Sequence, residues 1–196
     1  MLMPLQDPRD NEMVRAQLVG NDAWALAGYT AAARLARAAG MPSVADSIER
    51  SRVGYAADFT AALARSGSAD VPASFQGRGN DFGNLSVAWP CGALAPDDPR
   101  MAKLAARMWT RAGGPGLCLY TSTDKVHGYA GAELGIWALL ARRRADADAV
   151  LASLLHWRTA SGAGCELFTQ GGDPGDNLPP HPTSAAALVA QVRNSL

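Results

Sequence analysis

A mainly α-helical fold, built from antiparallel helical hairpins with long Gly/Pro loops and short strand fragments between them, is predicted by three observations. Alanine supplies 39 of the 196 residues, and alanine loses no side-chain entropy on entering a helix. Alanine is concentrated in segments with helical spacing, whereas β-branched residues are sparse, so helix propensity points one way almost everywhere. The 20 glycines and 12 prolines gather in a few segments, so they punctuate helices more than they interrupt them.

The first helix is predicted over residues 23–39. Asn21 and Asp22 offer N-caps, Trp24, Ala27, Leu35 and Ala38 share a face, and Gly40 stops it. Met41-Pro42-Ser43 is the turn. A second helix follows over 44–65, with Ser43 as N-cap, Asp46 completing a capping box and Ser66-Gly67 as the stop. So short a connection makes the two helices antiparallel. Residues 68–97 read as a long structured loop containing one strand-like run at 85–89. Asp98 as N-cap and Pro99 at the first helical position open a third helix to residue 112, which Gly113-Gly114-Pro115-Gly116 closes. A second loop holds a strand-like fragment at 117–120. The fourth helix, 128–143, is apolar around much of its circumference until Arg142-Arg143-Arg144 and is therefore an inner helix. The fifth covers 147–159, a third loop 160–182 and the last helix 183–194. No segment has linker composition, so residues 1–196 are expected to form a single domain of about three helical hairpins.

Composition excludes several functions. With 48% hydrophobic and 18% charged residues the chain is not disordered. Its 18 basic and 18 acidic side chains give zero net charge, so no basic field attracts nucleic acid or an anionic membrane surface. Three cysteines without CxxC spacing argue against a disulfide framework and a zinc knuckle. The first residues, Met1 to Asp10, carry no apolar signal region, and no run approaches a membrane span. A cytoplasmic location is expected. GxSxG, Walker and HExxH motifs are absent, and His127, His156 and His181 lack metal-ligand spacing. No metal and no cofactor is expected.

The third loop is the most unusual text. It carries Glu166, Asp173, Asp176 and His181 among prolines that fix the backbone, and a pair of carboxyls is the minimum for acid–base work on a glycosidic bond. The same residues also suit a structural role: Asp173-Pro174-Gly175 is an ordinary turn, Asp176 can bond its own loop, and His181 can cap the last helix. In the second loop Asp124 reads as an N-cap, while His127, Gly128 and Tyr129 stand at a helix start, with polar groups that suit sugar hydroxyls. Among the five tryptophans Trp109, Trp137 and Trp157 lie on apolar helix faces, whereas Trp89, beside Pro90, has the best claim to a pocket. Glu133 stands inside the apolar fourth helix, where a carboxyl is either paired with an arginine or a functional acid.

The run from Glu166 through Gly175-Asp176-Asn177-Leu178-Pro179-Pro180-His181-Pro182-Thr183 into an alanine-rich last helix resembles the C-terminal end of six-hairpin, (α/α)6-toroid glycosidase-like proteins. Trp89-Pro90, Asp98-Pro99-Arg100, His127-Gly128-Tyr129, Trp137-Ala138-Leu139-Leu140 and Asn21-Asp22-Ala23-Trp24 are similar pieces, so the likeness covers most of residues 21–196. The resemblance implies a carbohydrate site at the mouth of a helical ring. It implies Glu166 as general base, with Asp176 as the second catalytic carboxylate beside it. Trp89, His127, Tyr129, His181 and Glu133 then position substrate. The general acid of such rings comes from a middle hairpin, for which Asp22, Asp81 and Glu133 are the candidates here. About half of the twelve helices of a complete ring are present, and half a ring leaves apolar faces uncovered at both ends. Three completions follow: a missing N-terminal half, a homodimer, or a non-catalytic half-toroid that binds a carbohydrate or a protein. The opening Met1-Leu2-Met3-Pro4, without an amphipathic cap, favours the first, and an exposed edge favours the second.

Overall fold

In a computed structural model, which describes residues 1–4, 15–79, 82–112, 125–156, 158 and 166–169, the chain is mainly helical. The elements are α1 (Val19–Ala38), α2 (Pro42–Ser66), a 3-10 helix η1 (Phe82–Val87), α3 (Pro99–Ala112), β1 (Val126–His127), α4 (Gly128–Leu140), α5 (Arg144–His156) and β2 (Leu167–Phe168). They fall into two compact units, Met1–Ala95 and Pro96–Leu196. Among the described residues no helix is long and apolar enough to cross a membrane.

In the first unit α1 packs on α2. The turn between them closes as the glycine signal predicts: Gly40 takes φ 72°, its amide reaches Arg37 O at 3.1 Å, and Met41 N reaches Ala36 O at 2.9 Å. This pair of bonds satisfies carbonyls that the end of α1 would leave open. Pro42 stands in the first turn of α2 without a side-chain cap, because proline has no N–H to satisfy and its φ is already helical; Ser43 is therefore inside the helix and is not its cap. Gly67, at φ 65°, ends α2 where expected. The hairpin core is Leu26, Ala33 and Ala36 from α1 against Tyr55, Phe59, Ala62 and Leu63 from α2, and Phe59 meets Phe75 edge-on at 6.1 Å.

The start of α1 differs from the sequence expectation. The helix begins four residues early, and Asn21 and Asp22 lie within its first turns. Distant groups replace the local cap: Val19 N donates to Ala73 O at 3.2 Å and Gly20 N to the Asn84 side-chain oxygen at 3.1 Å. Asn84 also donates to Pro72 O at 2.6 Å, so one buried amide ties the helix start to two other segments. The strand-like run at 85–89 is a further correction: it forms the end of η1 and the turn after it. Leu85, Ser86, Val87 and Ala88 are all buried, so the run has no solvent face, and η1 packs on α1 without joining a ladder.

In the second unit Asp98 caps α3 as predicted, its carboxylate accepting from Arg100 N at 2.9 Å and pairing with the Arg100 guanidinium. That guanidinium holds the Asp98 carboxyl below its usual range. Met101, Leu104, Ala105 and Met108 form the buried face of α3, the i, i+3, i+4, i+7 stripe of an amphipathic helix. Helix α4 is an inner helix: Ala130, Ala132, Leu134, Ile136, Trp137 and Ala138 are closed from solvent. Trp137 donates to Pro96 O at 2.9 Å and tilts against Trp109 at 6.2 Å, with Arg143 5.7 and 5.4 Å from the two ring centres.

The arginine run divides α4 from α5, which pack together. Arg142 adopts φ 60°, Arg142 N bonds Leu139 O at 3.0 Å, and Arg143 N bonds Ala138 O at 2.8 Å. This repeats the α1 stop with an arginine where a glycine is usual. Consequently α4 ends three residues before the expected 143, and α5 starts at Arg144 instead of 147. The predicted fragment at 117–120 and the last helix at 183–194 lie outside the described residues.

Candidate functional site

Two very short strands build the site. In β1 and β2 Val126 pairs antiparallel with Phe168 and His127 with Leu167, and Gly128 N extends the ladder by donating to Glu166 O at 2.7 Å. All four strand residues are buried. The ladder brings two segments some forty residues apart in sequence onto the start of α4, with His127 as the N-cap residue.

This pairing sets Glu166 beside His127. The distance from His127 Nε2 to Glu166 Oε1 is 4.0 Å, with the histidine side chain fully buried and the glutamate side chain 22% exposed. That separation is the outer limit of an ion pair and too long for a hydrogen bond, and it becomes an ion pair when the imidazole is protonated. Both residues come from the sequence expectation, but the ladder that joins them does not: a two-residue strand has no alternation to detect.

Glu133 lies on α4, five residues beyond Gly128. Most of α4 is enclosed, and Glu133 is on the more open stripe it shares with Leu140. Burial pushes its carboxyl up to about 8, because an apolar surrounding penalises the ionised form. Among the described residues no arginine lowers it, and desolvation is what raises it.

The remaining predicted residues divide as follows. The backbone of Tyr129 occupies the second position of α4, and its side chain lies outside the described residues, as do Asp176, His181, Asp81 and Asp124. Trp89 is in the first unit, half-buried in the turn after η1 and joined to Pro90 by a cis peptide bond. Trp109 and Trp137 are core residues, as their helix faces predict. Among the described residues no three His, Cys, Asp or Glu side chains are grouped as a metal site would require.

Sequence reasoning placed Asp22 among candidate acids without its partner. Asp22 is completely buried in α1. Its Oδ1 accepts a close hydrogen bond from the Tyr55 hydroxyl and one from Met3 N at 2.9 Å. Desolvation raises its carboxyl above the usual range against the opposing pull of these bonds. Tyr55 stands where an apolar α2 face predicts only packing, so no local signal marks the pair. Comparison with known proteins matches the chain to no family model and to no curated protein.

Proposed function

We propose that the chain is a glycoside-hydrolase-like protein, part of an (α/α)6 toroid, acting on an oligosaccharide or glycoside by acid–base hydrolysis. The observation that carries this reading is a desolvated carboxyl, Glu133, in the same unit as Glu166 and its neighbour His127. Glu133 is desolvated and pushed up to about 8, while Glu166 is partly exposed beside His127. A carboxyl that burial keeps protonated is suited to the role of general acid.

In this proposal Glu133, protonated at neutral pH, gives its proton to the glycosidic oxygen as the bond to the anomeric carbon breaks. Glu166 takes a proton from the water whose oxygen bonds to that carbon. One water is consumed, and the two carboxyls return to their starting states by exchange with solvent. His127 acts as a positioning residue for Glu166, and Asp176, His181, Tyr129 and Trp89 enter through the family resemblance alone. A cytoplasmic location belongs to the same proposal.

A panel of nitrophenyl glycosides tests it. Wild-type protein should release nitrophenol from at least one member, and Glu166→Gln should lower that rate by about 10²- to 10⁴-fold with the circular dichroism unchanged. An equal rate in the variant removes Glu166 from the mechanism. The second reading, a non-catalytic half-toroid that binds a carbohydrate or a protein, is supported by the exposed Trp24, Leu35 and Val53 on the α1–α2 hairpin. It takes precedence if the wild-type protein hydrolyses none of the panel and light scattering gives the mass of a single folded chain, whereas twice the chain mass would show two copies completing the ring.

A further inference from the structure

The polar cluster of the first unit has a feature that packing does not account for. Asp22 Oδ1 accepts from both Tyr55 and Met3, while Asp22 Oδ2 is buried with no hydrogen-bond partner among the described residues. A carboxyl group offers about four acceptor positions, and here both donors crowd one oxygen. An unpartnered buried polar atom is costly, and a native fold keeps one where something else occupies it.

The present covering group shows which chemistry fits. Met3 N donates to Asp22 Oδ1 at 2.9 Å and also meets the Tyr55 hydroxyl at 3.2 Å, and Met3 O accepts from the Gln17 side chain at 2.6 Å. Tyr55 has spent its single proton on Asp22, so its oxygen faces Met3 as an acceptor. Burial and the neighbouring Asp22 both push the phenol pKa up, which keeps that proton in place. Tyr55 therefore offers no donor outward, and the Tyr55 oxygen and the Asp22 carboxyl together present acceptor positions. Met3 supplies one donor, whereas filling Oδ2 as well takes two on adjacent atoms.

We propose that Asp22 and Tyr55 form a binding site for the vicinal diol of a sugar ring or cyclitol, which the Met3 backbone amide occupies in this structure. One hydroxyl replaces the Met3 N–H at Oδ1 and the Tyr55 oxygen, and its neighbour reaches Oδ2. Tyr29, half-buried one face-repeat along α1, has its ring 5.6 Å from that of Tyr55 and supplies a flat apolar wall for ring C–H groups. A neutral diol enters such a buried place at lower desolvation cost than a charged ammonium. Met3 is 38% exposed, so the group the ligand replaces belongs to a residue at the surface. The site lies wholly within Met1–Ala95 and is independent of the hydrolysis assigned to Glu133 and Glu166; absence of glycosidase activity leaves it standing.

Titration calorimetry on the full chain tests the proposal with four probes: methyl α-glucopyranoside, myo-inositol, 1,3-propanediol and ethylammonium. Binding of either of the first two is the expected result, and which of them binds distinguishes a sugar from a cyclitol. Met3→Pro removes the competing N–H and should tighten that binding by about 3- to 10-fold, because the binding-competent state is then more populated. Tyr55→Phe and Asp22→Asn should each weaken it by about tenfold; Tyr55→Phe keeps the test open if Asp22→Asn fails to fold. The proposal is overturned if neither ring compound binds the wild-type chain or Met3→Pro. It is equally overturned if 1,3-propanediol or ethylammonium binds as well as they do, or if Tyr55→Phe leaves the affinity unchanged.

Discussion

Replacing Glu133 with glutamine should remove a pH dependence of stability that this one carboxyl imposes on the second unit. In the folded chain burial pushes the group up from 4.5 to about 8; in the unfolded chain it returns to its ordinary value. Between these limits the folded state binds more protons than the unfolded one. Stability therefore falls as pH rises, by about 1.4 kcal/mol per pH unit. The loss begins near pH 4.5, where the unfolded chain ionises, and is complete above pH 8, where the folded chain has ionised too. Over that window it amounts to on the order of 3–5 kcal/mol, a large share of the usual margin of a domain. Glutamine has nearly the same shape and does not titrate. Glu133→Gln should match the wild-type protein near pH 4.5 and exceed it progressively towards pH 8. Urea unfolding across that range gives the two profiles, and amide hydrogen exchange along α4 reads the second unit separately from the first. The raised Asp22 carboxyl contributes a slope of the same sign, but it is common to both proteins and cancels in their difference. Parallel profiles, with a constant gap from pH 4.5 to 8, would refute the reasoning.

Two further perturbations test how the helices are started and stopped. Arg142→Gly should stabilise the chain by about 0.5–1 kcal/mol, since a left-handed backbone costs an arginine and not a glycine while glycine's greater unfolded-state freedom offsets part of the gain; a lower melting temperature in the variant would contradict this. Asn84→Ala should cost about 2–4 kcal/mol, because it leaves the buried Gly20 N–H and Pro72 C=O without their partner. A loss below about 1 kcal/mol in urea unfolding would show that other groups take over both bonds.

Much of the helical framework was legible because its signals are local. Gly40 and Gly67 stop α1 and α2 by accepting a left-handed backbone, and Asp98 with Pro99 starts α3 by satisfying the next amide and presetting φ. The enclosure of α4 followed from its largely apolar text, which Glu133 alone interrupts with a charge. These signals fail where the partner is distant. The start of α1 is held by Ala73 and Asn84, so the caps read at Asn21 and Asp22 were the wrong residues. The same reason hid the run at 85–89, whose burial against α1 replaces a sheet.

For the candidate site, the sequence by itself determined the residue types: an acid inside an apolar helix, a histidine before a glycine at a helix start, and a glutamate in a Gly/Pro-rich loop. Only the tertiary structure decided which of them meet. The β1–β2 ladder sets Glu166 against His127, and the packing around α4 desolvates Glu133. The Asp22–Tyr55 pair joins α1 to α2 through two residues 33 positions apart in sequence. Capping and helix propensity act over one turn and can be read along the chain; desolvation and cross-chain hydrogen bonds depend on what the fold brings within a few ångströms, and no local pattern records that.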